Sequence, residues 1–252
     1  MPQQKQFKVL LIGDSCIDEY VYGTCERLNP EAPVPILRYE RMETKMGMAW
    51  NVRENLMAFG IEVYILTNQE KITKTRYIDE KHNHQILRVD DEKTLTPLES
   101  LEYVIPEEGY DAIVISDYDK GFITQKKLFD IVINAKCPVF VDSKKTFLPN
   151  YNCFIKINES ESNSLVSKNN NLIITKGSKG AEYNGINYPG QTVGVFDVVG
   201  AGDTFLSALV NYYLIHGSIE KAIPYANRAA SIAVSHFGTY VLTEEDINEI
   251  CN

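Results

Sequence analysis

Long apolar runs are missing from this sequence: no stretch approaches the roughly 20 apolar residues that a membrane span needs. Positive charge is in deficit. The 252 residues set 25 Lys+Arg against 34 Asp+Glu, a net charge of −9, which argues against holding nucleic acid by charge. Small anionic substrates stay open, because local donors decide their binding. Cysteine is scarce. Cys16, Cys25, Cys137, Cys153 and Cys251 are odd in number and form no CxxC pair, so they read as reduced thiols of a cytoplasmic protein rather than a disulfide framework or zinc site. The start, MPQQKQFKVLLIGDS, lacks the apolar segment of a secretory leader. No GxxxxGK[ST] phosphate loop occurs, and Gly13 is followed by Asp-Ser-Cys rather than the glycine-rich turn of a nicotinamide-binding enzyme. Repeats and low-complexity tracts are absent; residues 167–171 read as a short polar turn.

What is present is ordinary globular material, with 44% hydrophobic and 23% charged residues. A chain of this length buries roughly three quarters of its unfolded surface, enough for one sizeable core. Lys8–Ile12 is a short apolar run suited to a buried parallel strand. Short strands are expected at Tyr20–Tyr22 and Val34–Tyr39, separated by Asn29-Pro-Glu-Ala-Pro33, whose prolines favour an edge position. Trp50–Phe59 has helical spacing and ends at Gly60; Ile61–Leu66 is a strand; Thr75–Val89 alternates as a solvent-facing hairpin would. Beyond residue 110 the order becomes regular, with strands at 111–115, 139–141, 153–157 and 172–175. Helices are expected at Gln125–Ala135, Asp203–His216 and Ile219–Phe237. That alternation predicts a mostly parallel sheet between helices, and the segments that do not fit it predict a small β lid.

The sharpest chemical signal is Asp197-Val-Val-Gly-Ala-Gly-Asp-Thr204, followed at once by an apolar helix. Gly200, Ala201 and Gly202 are too small to block a ligand, so backbone N–H groups and the positive helix end could meet a phosphoryl group. Asp203 in the first turn could accept a proton from an attacking hydroxyl. By spacing alone, a tight loop with Asp203 as a helix cap reads equally well.

DVVGAGDT resembles the C-terminal signature of the ribokinase-like (PfkB-type) carbohydrate kinases. The resemblance implies a three-layer α/β/α sandwich with a mostly parallel central sheet and a β-sheet lid. It implies one kinase domain over 1–252, with lid segments at about 15–45 and 74–90. Asp203 then becomes the catalytic base, and Gly200, Ala201 and Gly202 the anion hole. Gly13-Asp14…Asp18 resembles the family's first-strand motif, in which carboxylates grip sugar hydroxyls, with Asp18 the better placed by spacing. Gly47 and Asn51 match the GG-x-x-x-N segment, although Met48 and Trp50 stand where relatives have small residues. Asn158 and Glu161 match the N-x-x-E motif that orders Mg²⁺ on the phosphates, largely through water. Thr175, Lys176, Gly177 and Gly180 match a turn that contacts ATP, and Asn227 falls where the adenine pocket lies. The resemblance also allows a monovalent cation.

Further segments resemble the heptose-7-phosphate kinase branch of this family: Arg27–Pro35, Lys74-Thr-Arg76 with Gln85–Asp90, Ser116-Asp-Tyr-Asp-Lys-Gly121 and His236-Phe-Gly-Thr239. A phosphorylated sugar gives Arg76, Arg88 and Lys120 a physical purpose as cations facing its phosphate. The implied partners are a sugar phosphate, ATP and a second copy joined through the lid, with neither nucleic acid nor membrane. Kinases of other sugars, and a non-catalytic sugar or nucleotide sensor on the same scaffold, are the rival readings. Two departures stand out: only a turn fits between Leu66 and Lys74, and the stretch from Glu161 to Leu172 is short for the family. With no second module inside these residues, the resemblance implies a stand-alone kinase.

Overall fold

Val9, Leu11 and Ile12 are fully buried and Leu10 nearly so, which makes β1 (Lys8–Gly13) the spine of the molecule. The computed structural model describes residues 6–100, 109–167, 170–191, 193–194 and 196–251. Around β1 stand β4 (Glu62–Thr67), β7 (Ala112–Asp117), β8 (Val139–Ser143), β9 (Phe154–Asn158) and β10 (Leu172–Thr175), all parallel. An antiparallel hairpin, β11 (Ala181–Tyr183) and β12 (Ile186–Tyr188), closes one edge, so the order is β12-β11-β10-β9-β8-β7-β1-β4.

Strand periodicity sorts the apolar residues onto two faces. Val9, Leu11, Val114 and Phe140 pack against α1 (Ala49–Ala58), α4 (Ala201–His216) and α5 (Ile219–Ala233). Leu10, Ile12, Ile115, Val141 and Ile155 face α2 (Gln125–Asn134) through Leu128, Ile131 and Val132. The expected sandwich is present. The Thr124 hydroxyl caps α2 by accepting from Lys127 N at 3.2 Å. Two short helices, α3 (Glu159–Ser164) and α6 (Glu244–Cys251), and the β11–β12 hairpin were not expected from the sequence. Helix α5 stops at Ala233, short of the expected Phe237, because the N–H groups of Phe196 (2.8 Å) and Asp197 (3.3 Å) take the Val234 carbonyl. The polar turn expected at 167–171 includes 168 and 169, which lie outside the described residues.

The proline-flanked segments form a second, four-stranded sheet in the order β3-β2-β5-β6: β2 (Ser15–Leu28), β3 (Pro35–Met48), β5 (Thr73–Asp79) and β6 (His84–Asp91). β2 and β3 are longer than the sequence suggested. Their antiparallel pairing runs almost unbroken, with irregularities at Tyr22/Gly23 and Cys25/Leu28. Register assigns the two faces. Lys45, Asp18, Lys74 and Asp90 form one row, and Glu43, Tyr20, Arg76 and Arg88 the next on the same face. Tyr20, Asp18 and Arg76 of these rows are buried, so this face looks toward the main sheet. The opposite face carries Met42, Val21, Tyr77 and Leu87 in one row.

Gly13 ends β1 where the main chain must turn toward the lid. A Cβ there would lie 2.1 Å from the Ser116 carbonyl oxygen, a backbone atom that cannot yield. Gly60, at φ 80°, has open space around it. Gly13→Ala is therefore expected to cost about 2–4 kcal/mol in denaturant unfolding, and Gly60→Ala only about 1 kcal/mol of left-handed strain. Equal losses would contradict this account of the β1–β7 junction.

Candidate active site

The carboxyl ends of the parallel strands and the start of α4 converge on a cavity of about 170 Å³. Asp117 from β7, Asp142 from β8 and Asn158 from β9 line it, with Tyr118, Lys144, Lys156 and Glu161 around them. Gly200, Gly202 and Asp203 close it from the helix side. Such crevices at strand ends are where open α/β sheets bind ligands.

The Gly-Ala-Gly bend is enforced by its neighbours. Gly200 sits at φ 78° as the N-cap of α4, and a Cβ on it would come 2.8 Å from Asn51 Nδ2. A Cβ on Gly202 would come 2.8 Å from Lys156 Nζ. At this helix start the N–H of Ala201 reaches Val198 O (3.4 Å) and that of Asp203 reaches Gly200 O (3.0 Å). Among the described residues, no acceptor takes the Gly200 or Gly202 N–H, so both are donors left for an anion. Ala201 itself does not line the cavity.

Asp203 is only 4% exposed, yet it borders the cavity. Its Oδ2 accepts from Asn51 Nδ2 and its Oδ1 from the Tyr118 hydroxyl, each at 2.9 Å. Burial pushes its pKa up to about 6; the Asn51 bond, Lys156 and the Tyr118 bond pull down against that, while Asp142 adds to it. Lys156 is buried and bonds Asp142 at 2.6 Å. Burial opposes its charge most strongly, but Asp142, Asp203 and Glu161 together outweigh that and hold the ammonium above its ordinary value.

Asp14 is fully buried beside this site. Its Oδ2 accepts from the backbone N–H groups of Tyr118 (2.7 Å) and Lys120 (3.1 Å). Its Oδ1 has no partner among the described residues, and neither has the adjacent Ser116 Oγ. Burial raises the Asp14 pKa. A buried acceptor left empty marks a place for an incoming donor.

The other sequence-derived residues fall into four groups. Asp18 pairs with Arg76 at 2.5 Å on the buried face of the lid, and Gly47 leaves room for it: a Cβ would lie 2.1 Å from Asp18 Oδ2. Asn158 and Glu161 cap α3 reciprocally, at 2.8 and 2.9 Å, on the cavity rim. Thr175 is in register with Asn158, and Gly180 (φ 90°) and Asn227 both meet the 188–190 loop, Asn227 through Tyr188 O at 3.0 Å. Lys176 pairs with Glu182 at 2.5 Å, and Gly177 opens the same turn at φ 57°. These lid residues, Asp14, the 175–180 turn and Asn227 do not line the cavity wall, and nor do three more: Arg88 pairs with Asp90 (2.8 Å) on the lid, Lys120 Nζ with Glu92 (2.5 Å), and Asn51 meets Asp203 instead. Met48, at φ 58°, buries its side chain among Leu10, Ile12 and Cys16 rather than in the cavity.

Sequence reasoning missed Tyr118, Asp142, Lys144 and Lys156. The signal available was position: Tyr118 and Lys144 directly follow strands of the parallel sheet, and Asp142 and Lys156 lie within β8 and β9. Asn158 and Glu161 offer one amide and one carboxylate, which suits a hard cation that keeps most of its waters. No cluster of three or more His, Cys, Asp or Glu that could hold a metal directly occurs among the described residues. No helix among them is long and apolar enough to cross a membrane.

Residues 54–246 match the pfkB family carbohydrate kinase domain. The chain is 33% identical to bifunctional protein HldE of Nitratiruptor sp., over 96% of this chain and 64% of that protein. It thus spans less than two thirds of the length of the curated relatives it matches. That alignment runs over 300 positions, more than the chain's 252 residues, so the relative carries insertions this chain lacks. Among solved structures, phosphofructokinase-2 of Escherichia coli in complex with potassium aligns with a TM-score of 0.73 at 16% identity, covering 97% of both chains. Ribokinase of Thermotoga maritima aligns at 0.70 and 13% identity, covering 97% of this chain and 99% of that one. The last two establish the fold, and with the sequence matches they lead to one conclusion: the chain belongs to the pfkB family of carbohydrate kinases, ATP-dependent phosphotransferases with an alcohol group of a sugar as acceptor.

Proposed function

We propose that this chain transfers the γ-phosphoryl group of ATP to a hydroxyl of a sugar phosphate, with Asp203 as general base. The observation that carries the reading is a desolvated carboxylate beside an unengaged helix-start amide, both on one cavity with the Lys156 ammonium. The sugar hydroxyl gives its proton to Asp203 as its oxygen bonds the γ-phosphorus, and ADP departs with the electrons of the broken P–O bond. Gly202 N–H and Lys156 offset the charge on the transferring group. Asn158 and Glu161 would hold Mg²⁺ through water, where the ion neutralises phosphate oxygens. The Thr175–Gly180 turn and Asn227 serve the nucleotide, and a monovalent cation is compatible with this scheme.

For the acceptor we favour D-glycero-β-D-manno-heptose 7-phosphate, phosphorylated to the 1,7-bisphosphate. Similarity to bifunctional protein HldE supports the choice, as does the lid face that sets Lys45, Lys74, Arg76 and Arg88 on the side toward the cavity. Asp14 Oδ1 is the free acceptor for a sugar hydroxyl. The second copy would cover the outer lid face, where Met42 and Leu87 are half exposed or more.

Asp203→Asn is expected to lower turnover about 10²–10⁴-fold with nucleotide affinity nearly unchanged; unchanged turnover removes the base. In the parent enzyme, kcat/KM should rise with pH through about 6 as Asp203 loses its proton. Because the folded pKa lies above the unfolded 3.8, Asp203 contributes most to stability below that value, and the contribution is lost as pH rises through about 6. At pH 7 the buried charge thus costs up to about 3 kcal/mol, and Asp203→Asn should unfold at higher denaturant than the parent.

Arg88→Ala should raise KM for the heptose 7-phosphate about tenfold and leave that of unphosphorylated heptose unchanged. A coupled ADP-release panel of heptose, hexose and pentose phosphates that favours another sugar moves the substrate and leaves the kinase standing. Sedimentation should show a dimer that Leu87→Lys converts to monomer; a monomeric parent excludes the lid interface.

A further inference from the structure

Both oxygens of the Asp203 carboxylate are already engaged by protein donors. The two donors differ in freedom. Asn51 is 1% exposed, and Asn55 Nδ2 donates to its carbonyl oxygen (3.0 Å) and to its Oδ1 (3.3 Å). Asn55 is itself buried and tied to Tyr240 O at 3.1 Å. Asn51 is wedged and cannot withdraw. Tyr118 stands on the loop after β7, lines the cavity, and needs only a side-chain rotation to release Oδ1. Two ammonium groups lie over its ring, Lys74 from the lid at 5.6 Å and Lys144 at 4.6 Å from the centroid. Its backbone N–H holds Asp14, the residue with the empty oxygen.

We infer that Tyr118 is a displaceable latch on the general base, covering Asp203 Oδ1 until a sugar hydroxyl takes its place and so denying that oxygen to water. The inference rests on Asp203 being the base. Without the phenol, water bound at Oδ1 gives its proton to Asp203 and attacks the γ-phosphorus. The P–O bond to ADP breaks, ADP keeps the electron pair, and inorganic phosphate results. The latch makes hydrolysis slow while leaving transfer to sugar possible, since a hydroxyl fixed by other contacts can outcompete one phenol. Tyr118 is a positioning residue in this scheme: it acts through Asp203.

The groups that face Asp203 are Tyr118, Asn51 on α1, Asp142 on β8, Lys156 on β9 and Cys16 on β2. Of these, the Tyr118 bond favours the ionised carboxylate, so its loss moves the titration upward.

The test compares the parent with Tyr118→Phe, with the fold of each checked by thermal unfolding. The ratio of sugar-independent ATP hydrolysis to sugar phosphorylation should rise about tenfold, the worth of one charge-assisted hydrogen bond. In substrate-free protein, the ¹³C carboxyl titration of Asp203 should move to higher pH, a readout that needs neither nucleotide nor metal. Should Tyr118→Phe not fold, 3-fluorotyrosine at 118 keeps the shape and donates more strongly, so the titration should move to lower pH. An unchanged ratio or an unmoved titration overturns the latch. Adding Asp203→Asn separates the two readings. Loss of transfer in Asp203→Asn alone upholds the base whatever Tyr118 does, and hydrolysis that survives in the double variant overturns the latch.

Discussion

A carboxylate kept out of water is the constraint around which this molecule is arranged. Asp203 is charged at neutral pH in a place where charge is unfavourable, because burial has moved its pKa to about 6. Three elements from distant parts of the chain make that tolerable: Asn51 from α1, Tyr118 from the loop after β7, and the first turn of α4. A proton acceptor with a pKa near neutrality is what hydroxyl activation requires. In the reaction proposed above, the destabilisation and the chemistry are thus two aspects of one desolvation.

The surrounding packing serves the same end. Lys156 crosses the mouth of the Gly-Ala-Gly bend, and glycine at 202 is what leaves it room. Asp197 fastens the approach to that bend, accepting from Val199 N (3.1 Å) and Gly238 N (3.0 Å). Lys45 reaches from the lid to the carbonyl oxygens of Phe237 (3.2 Å) and Thr239 (3.0 Å). Thr239 in turn lies against Gly200. Lid, Gly-Ala-Gly bend and Asp203 are therefore joined through a short chain of hydrogen bonds and contacts. The insertions present in a longer relative are dispensable to this arrangement, since the strands that border the cavity remain in register.

The lid divides its labour by strand parity. Residues of one parity put ammonium, guanidinium and carboxylate groups toward the main sheet; those of the other put Met42, Val21, Tyr77 and Leu87 outward. A shift of one residue in pairing would exchange the two faces. The antiparallel partners on both sides of the β2–β5 pair prevent it.

Local patterns in the chain were enough to read the apolar runs of β1, β7, β8 and β10, the spacing of α2, and the glycine bend before an apolar helix, because near-neighbour sterics and burial set these. The resemblance carried by DVVGAGDT supplied the architecture. Spacing could not distinguish a helix cap from a base at 203, since both put a carboxylate in the first turn. Nor could it assign Asn51 to Asp203, find Tyr118 on the other oxygen, or see the empty acceptor on Asp14. Those facts join residues 85 to 152 positions apart, or turn on a missing partner. The chain alone determined where the principal strands and helices form, though not α3, α6, the β11–β12 hairpin or the full length of β2 and β3. Only the closed fold decided which side chains lose water and which donors reach them, because desolvation belongs to an assembled cavity and not to any stretch of sequence.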